Sequence, residues 1–179
     1  MKPTPSQRRL FVMVMAAWVL ITLVRQVNHA ASPLNLSLWV GGLLVAFPAI
    51  HLNPRTAFTS CFIIGLMLDA WSPLPFGTHA LLFGAAQIII GRLRMRLATR
   101  EPTIELIVAL IANLILFVAM TFIVIGRSGG GSFSGFRLLA ELAVSQVVIA
   151  LILPWYFALQ SRGCDLLLNF RPNKIESTI

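Results

Sequence analysis

Six apolar stretches, each bounded by charged residues or by proline and glycine, divide this 179-residue chain. A helix needs about 20 apolar residues to cross a hydrocarbon core of about 30 Å, and the second, fifth and sixth stretches meet that length. The first and fourth are marginal, and the third falls short. The stretches cover residues 10–24, 34–52, 56–71, 76–91, 104–126 and 138–159.

The composition agrees with a lipid environment. Hydrophobic residues make up 58% of the chain and charged residues 11%, whereas soluble domains average about 45–50% and about 25%. A chain this short has too much surface to hide that many apolar side chains from water. The sequence therefore predicts an all-α integral membrane bundle of about six transmembrane helices, forming one polytopic domain over residues 1–179.

The net charge of +8 is distributed unevenly along the chain. With six spans and a cytoplasmic N-terminus, 11 of the 14 Lys and Arg residues lie in predicted cytoplasmic segments. Such an excess is the usual orientation signal of membrane proteins. We therefore expect both termini in the cytoplasm, and we interpret the charge as a topology signal and not as a nucleic-acid surface. Asn28 and His29 occupy positions where a signal-peptide cleavage site needs small residues, so we favour an uncleaved first span.

Motifs for catalysis, metals or nucleotides are missing from the sequence. Cys61 and Cys164 are far apart and the three histidines are scattered, so no metal-ligand spacing arises. The Gly-rich stretch 126–135 lacks the Gly-Lys-Ser/Thr ending of a phosphate-binding loop and is interpreted as a flexible outer connection. No arrangement of Ser, His and Asp indicates a catalytic triad. We expect a protein that is not an enzyme and has no cofactor or metal.

Asp69 needs an explanation, because an ionisable group near the end of an apolar segment is costly and usually faces protein or water. Cys61, Gly65 and Asp69 share one helix face, and the two small residues allow a neighbouring helix to approach closely. The turn that follows is short, so the third and fourth stretches are predicted to form a helical hairpin. Two interpretations of Asp69 stay open. The carboxylate accepts backbone N–H bonds at the turn or at the next helix start, or it forms a proton or ligand site with His79.

Further polar side chains lie within the apolar stretches. We interpret them as partners in hydrogen bonds between helices, since a substrate pathway would need several of them on one cavity wall. These residues are Thr22, Gln87, Asn113, Thr121, Ser145 and Gln146.

A basic connection follows the fourth stretch and carries Arg92, Arg94, Arg96 and Arg100. In a helical continuation, Arg92, Arg96 and Arg100 share one face. Two compatible interpretations stay open for these arginines. They anchor the chain to anionic lipid headgroups, or they form a docking surface for an acidic cytoplasmic partner.

The region from Gly65 to Gly77 resembles a motif of the rod shape-determining MreD family. Gly65 and Asp69 form a G-x-x-x-D pattern, Ser72 lies in the polar turn, and Gly77 follows eight residues after the aspartate. The chain length, the basic connection after the hairpin and a Pro-Trp pair near the end of the last stretch are also similar. Two prolines in the turn depart from the family pattern and leave the turn conformation open.

The resemblance implies a non-enzymatic scaffold subunit of the cell-elongation machinery, which builds peptidoglycan, in the inner membrane of a rod-shaped bacterium. Members of this family associate with MreC, with the actin-like MreB, and with RodA and its penicillin-binding transpeptidase. The family fold is also regarded as similar to the substrate-binding subunits of energy-coupling-factor vitamin transporters. That similarity supplies an alternative function, a small-molecule-binding transporter subunit. Short or Gly-rich outer connections and polar residues spread over different helices favour the scaffold.

Overall fold

The computed structural model describes residues 5–34, 36–94, 101–127 and 135–169, and over these ranges it contains helices and no strand. This confirms the predicted all-α fold. A short 3-10 turn, Ser32–Leu34, follows the first α-helix. The α-helices are α1 Pro5–Ala31, α2 Gly41–His51, α3 Pro54–Asp69, α4 Thr78–Arg94, α5 Pro102–Arg127 and α6 Gly135–Asn169.

Among the described residues, three helical stretches are long and apolar enough to cross a membrane. Large apolar side chains point outward from two of them, with Phe122 72% exposed and Trp155 81% exposed. An outer surface of this kind fits hydrocarbon as the solvent and not water. The protein is therefore a membrane helical bundle. The candidate spans are Ser6–Ala31, Pro102–Arg127 and Gly135–Leu166.

The stretch 34–52 differs from the continuous helix that its hydropathy suggests. Only Gly41–His51 is α-helical, and residues 36–40 form a non-helical segment in front of it. At about 1.5 Å per residue, an 11-residue helix is about 17 Å long, too short to cross a bilayer by itself. Non-helical backbone at membrane depth is tolerated only where protein or a water-filled cavity satisfies its polar groups.

Helix α2 packs against α3, α4, α5 and α6, and every residue from Gly41 to Ala49 is buried. Gly42 is needed at the crossing with α5. A Cβ atom there would lie 2.4 Å from both the Ala109 carbonyl oxygen and the Asn113 backbone nitrogen. Because lipid supplies little hydrophobic drive between helices, such close backbone packing is a main source of their association.

The two ends of the bundle carry different polar groups. The turn end contains residues 70–77 between α3 and α4, the last turns of α1 and the non-helical segment 36–40. The arginine end contains the last turn of α4, the end of α2 and the start of α5. Helix α4 begins at the turn end and finishes at the arginine end, so the two ends lie at opposite ends of this helix and are described separately below.

Candidate functional site

The turn end is built around the short connection between α3 and α4. The Ser72 hydroxyl oxygen accepts a hydrogen bond from the Leu74 backbone N–H at 3.2 Å, which fixes the first half of the turn. Gly77 closes the turn with a φ of +99°, a backbone conformation that residues other than glycine adopt only at an energetic cost. Helix α4 then begins at Thr78.

Asp69, the last residue of α3, joins this turn to both helices. Its Oδ2 accepts hydrogen bonds from the backbone N–H groups of Gly77 at 3.0 Å and Ala80 at 3.1 Å. Its Oδ1 accepts from the backbone N–H of His79 at 2.9 Å. The first N–H groups of a helix have no partner within that helix, and the positive end of the helix dipole favours a carboxylate there. Asp69 therefore caps α4 from the neighbouring helix, as the first of its two interpretations predicts.

His79 adds a side-chain bond to the same carboxylate. Its Nδ1 lies 2.7 Å from Asp69 Oδ1, and the two side chains are 5% and 0% exposed. An ionised carboxylate only accepts hydrogen bonds, so Nδ1 carries the hydrogen. The imidazole ring also contacts Trp39 and Phe83, with ring centroids 5.6 Å and 6.5 Å apart. We call the group formed by Asp69, Gly77, His79 and Ala80 the Asp69 clamp.

Gly65 allows the clamp to close. A Cβ atom at Gly65 would lie 2.4 Å from the Ala80 Cα and 2.8 Å from the His79 carbonyl carbon. Since both are backbone atoms of α4, a larger residue at position 65 would force the helices apart. Gly65, Asp69, Ser72 and Gly77 thus each have a geometric role in one hairpin.

A polar cavity of about 280 Å³ lies beside the Asp69 clamp. Arg25, Asn28, Trp39, Ser72 and His79 line it together with apolar residues. The Arg25 guanidinium carbon lies 4.3 Å from the centre of the Trp71 ring, a cation–π contact between α1 and the turn. The cavity brings the turn of the hairpin together with α1 and the segment before α2.

Side chains from three helices satisfy the backbone around the non-helical segment 36–40. Asn28 of α1 both donates to the Leu38 carbonyl oxygen at 3.0 Å and accepts from the Leu38 N–H at 2.7 Å. The Ser145 hydroxyl of α6 accepts from the Trp39 N–H at 3.0 Å. The Asn113 side-chain oxygen of α5 accepts from the Gly42 N–H at 3.1 Å. These bonds explain how non-helical backbone is stable inside the bundle.

The predicted interhelical hydrogen bonds are therefore present for some of the polar residues. Asn113 and Ser145 bond to backbone near the start of α2, and Gln146 donates to the Leu110 carbonyl oxygen at 3.1 Å. Thr22 differs, because its exposed hydroxyl donates to Trp18 in its own helix. The sequence did not predict that Asn28 would join them. It lies three residues after Arg25, beyond the end of the first apolar stretch, and nothing in that position indicated a bond to the Leu38 backbone.

At the arginine end, Arg94 has a different environment from Arg92. Arg92 is exposed, whereas Arg94 is partly buried and its Nη1 donates to the carbonyl oxygens of Leu52 at 3.1 Å and Ala49 at 3.5 Å. Arg94 thus caps the C-terminal end of α2, where a cation is favourable. Arg96 and Arg100, which the sequence places with them, lie outside the described residues.

The described residues contain no group of three or more His, Cys, Asp or Glu side chains that could hold a metal ion. The polar groups brought together at the turn end instead bind one another and the backbone. Their arrangement holds helices in place.

Fold and site together define a class: an α-helical membrane protein in which a buried carboxylate fastens a helical hairpin. The chain belongs to the family of the rod shape-determining protein MreD, whose sequence model matches residues 7–162. This match confirms the resemblance first seen between Gly65 and Gly77. It links the chain to rod-shape determination and to a family not known for enzymes. No curated protein and no solved structure matches the chain.

Proposed function

We propose that this chain is a non-enzymatic scaffold subunit of the bacterial cell-elongation complex. It crosses the inner membrane several times as one domain and keeps both termini in the cytoplasm. Membership of the MreD family supports the role in shape determination. The Asp69 clamp is the observation that carries the scaffold function, because it uses a buried carboxylate to fix the geometry of a hairpin and leaves no oxygen lone pair aimed at a substrate.

In this proposal the two ends of the bundle bind different partners. The turn end faces the outside and holds MreC, so Gly65, Asp69, Ser72 and Gly77 act by presenting a rigid hairpin to it. The arginine end faces the cytoplasm, where Arg92, Arg94, Arg96 and Arg100 contact anionic lipids and an acidic surface of a partner such as MreB. RodA and its penicillin-binding transpeptidase associate through the membrane-facing helices.

Depletion in a rod-shaped host tests the proposal. Loss of the protein should turn rods into round cells, and the wild-type chain should restore them. Simultaneous charge reversal at Arg92, Arg96 and Arg100 should reduce recovery of the cytoplasmic partner, while Arg55→Glu, at an exposed position on α3, serves as the matched control. Unchanged cell shape after depletion would contradict the proposed function, and unchanged partner recovery would contradict the docking surface.

A small-molecule transporter subunit is the second candidate, and the polar cavity at the turn end is the observation that favours it. The cavity is about 280 Å³, just below the range of about 300–1,000 Å³ typical of ligand pockets. A growth defect that an added vitamin reverses, without rounding of the cells, would support this candidate over the scaffold.

A further inference from the structure

Helices α4 and α5 diverge from each other on the outside of the bundle and leave an apolar groove of about 640 Å³ between them. Isoleucine, leucine, valine and alanine side chains form nearly all of its lining. Several of these side chains are open to the surroundings, including Ile89, Ile111 and Ile115, which are between 51% and 60% exposed. In a membrane such a groove is filled by lipid or by another helix.

Charge is confined to one end of the groove. Arg94 lines that end, whereas the exposed Arg92, two residues earlier on α4, does not line the groove. Glu105 lines the same end, but its carboxylate is 2.9 Å from His51 Nε2 and is engaged there. Arg94 donates to the α2 carbonyl oxygens through Nη1. Because a guanidinium has five N–H donors, other donors of Arg94 remain for a ligand in the groove. The groove is thus amphipathic, with the Arg94 cation at one end and apolar side chains along its length.

The length of the groove distinguishes a lipid from a helix. On α5 the lining runs from Ile104 to Leu116, about 18 Å at about 1.5 Å per residue. One leaflet contributes about 15 Å of the hydrocarbon core, whereas a transmembrane helix needs a path of about 30 Å. The lining also consists of long, branched side chains, with few of the small residues on which helix–helix contacts in membranes depend.

We propose that this groove is a binding site for one anionic phospholipid of the leaflet at the arginine end. The acyl chains lie along α4 and α5, and the phosphate accepts hydrogen bonds from the remaining N–H donors of Arg94. The lipid fills the gap that α4 and α5 leave open and so completes the bundle on that side. This site deepens the contact with anionic lipids that the proposed function assigns to the arginine end, and it rests on that part of the proposal.

Native mass spectrometry of the detergent-purified chain tests this site. Dioleoyl-phosphatidylglycerol and dioleoyl-phosphatidylcholine are added at equal concentration, and the lipid-bound fraction is measured for each. The wild-type chain should retain phosphatidylglycerol preferentially as a single adduct. Equal retention of the two lipids by the wild-type chain would contradict the proposal.

Two matched pairs of variants locate the lipid. Ala86→Phe fills the groove and should abolish the adduct, whereas Ala85→Phe, at the adjacent exposed position that does not line the groove, should leave it unchanged. On α5, Ile111→Trp narrows the groove at an exposed position, and Leu114→Trp is its control. Because Ile111 and Leu114 are both exposed, this second pair remains informative if Ala86→Phe does not fold.

A charge variant tests the headgroup contact. Arg94→Gln should reduce the preference for phosphatidylglycerol by about fivefold, the effect of one cation near a lipid phosphate, whereas Arg92→Gln, at an exposed position that does not line the groove, should not. An unchanged adduct in both Ala86→Phe and Ile111→Trp would overturn the lipid site. So would loss of a membrane partner in those variants with the adduct intact, because the groove would then hold a helix.

Discussion

Helix α4 packs on two neighbours in the chain in opposite ways. Towards α3 it is fastened by the Asp69 clamp, and Gly65 brings the two backbones together. Towards α5 it diverges and leaves the groove of about 640 Å³. The first pair is held by buried, charge-assisted hydrogen bonds, and the second leaves apolar surface open to lipid.

This difference indicates that the α3–α4 contact stabilises the fold, whereas the α4–α5 groove is a surface for binding. Buried donors left without an acceptor are costly, so the α3–α4 pair tolerates little change. The lining of the α4–α5 groove is apolar apart from Arg94 and Glu105 at one end, and both of these side chains have partners on α2. Substitutions should therefore affect stability at the clamp and binding at the groove.

The largest effect is expected for Asp69→Ala. This change leaves three backbone N–H groups and the His79 ring without their acceptor in a buried site. We expect a loss of about 3–5 kcal/mol in the free energy of unfolding, measured by denaturation in detergent. Asp165→Ala, at an exposed position on α6, is the control and should change little. Equal stability of the two variants would contradict the claim that the Asp69 clamp stabilises the fold.

Gly65→Ala tests whether the two backbones must touch. The added methyl group would meet backbone atoms of Ala80, which cannot rotate away as a side chain can. We expect a loss of about 3 kcal/mol, at the upper end for overpacking. Gly126→Ala on α5 is the matched control, because a Cβ there has open space and alanine favours a helix. A stable Gly65→Ala variant would mean that the hairpin is looser than described.

Asn113→Ala should have the next largest effect. Its side chain is fully buried and accepts the hydrogen bond of Gly42 at the start of α2, so its removal leaves a buried donor unsatisfied. The expected loss is about 2 kcal/mol in the same denaturation experiment. Thr22→Ala removes an exposed hydroxyl that bonds within its own helix, and it should be nearly neutral. A neutral Asn113→Ala would show that α2 does not need this support.

Gly77→Ala should have the smallest effect. The positive φ of +99° is unfavourable for alanine, but no atom lies within 4 Å of the added methyl group. A loss of about 1 kcal/mol is expected from backbone conformation alone. A loss as large as that of Asp69→Ala would indicate that the turn itself, and not the carboxylate, holds the hairpin.

Local patterns in the sequence predicted the hairpin better than the packing around it. The spacing of Gly65 and Asp69 and the short turn after them lie within a few residues, so helix geometry predicted the close approach of α4 and gave capping as one of the two interpretations of the carboxylate. The break in the stretch 34–52 did not, because the stretch is mostly apolar and hydropathy cannot distinguish helical from non-helical backbone.

The partners that stabilise the break are distant in the sequence. Asn113 and Ser145 lie 71 and 106 residues from the backbone groups they bind. Arg94 likewise lies 42 residues from Leu52. The sequence showed it only as one arginine of a basic connection and did not indicate its role at the end of α2. Contacts of this kind depend on how the helices pack, which one sequence alone does not determine.

Cell shape under Asp69→Asn tests the central claim most directly. Asparagine keeps the size of the side chain and removes its charge, so the Asp69 clamp loses its charge-assisted bonds with little change in volume. In a rod-shaped host depleted of its own family member, and at equal protein levels in the membrane, cells carrying this variant should become round. Cells carrying Asp165→Asn should stay rod-shaped. Rods in both strains would contradict the claim that the clamp is required for shape determination.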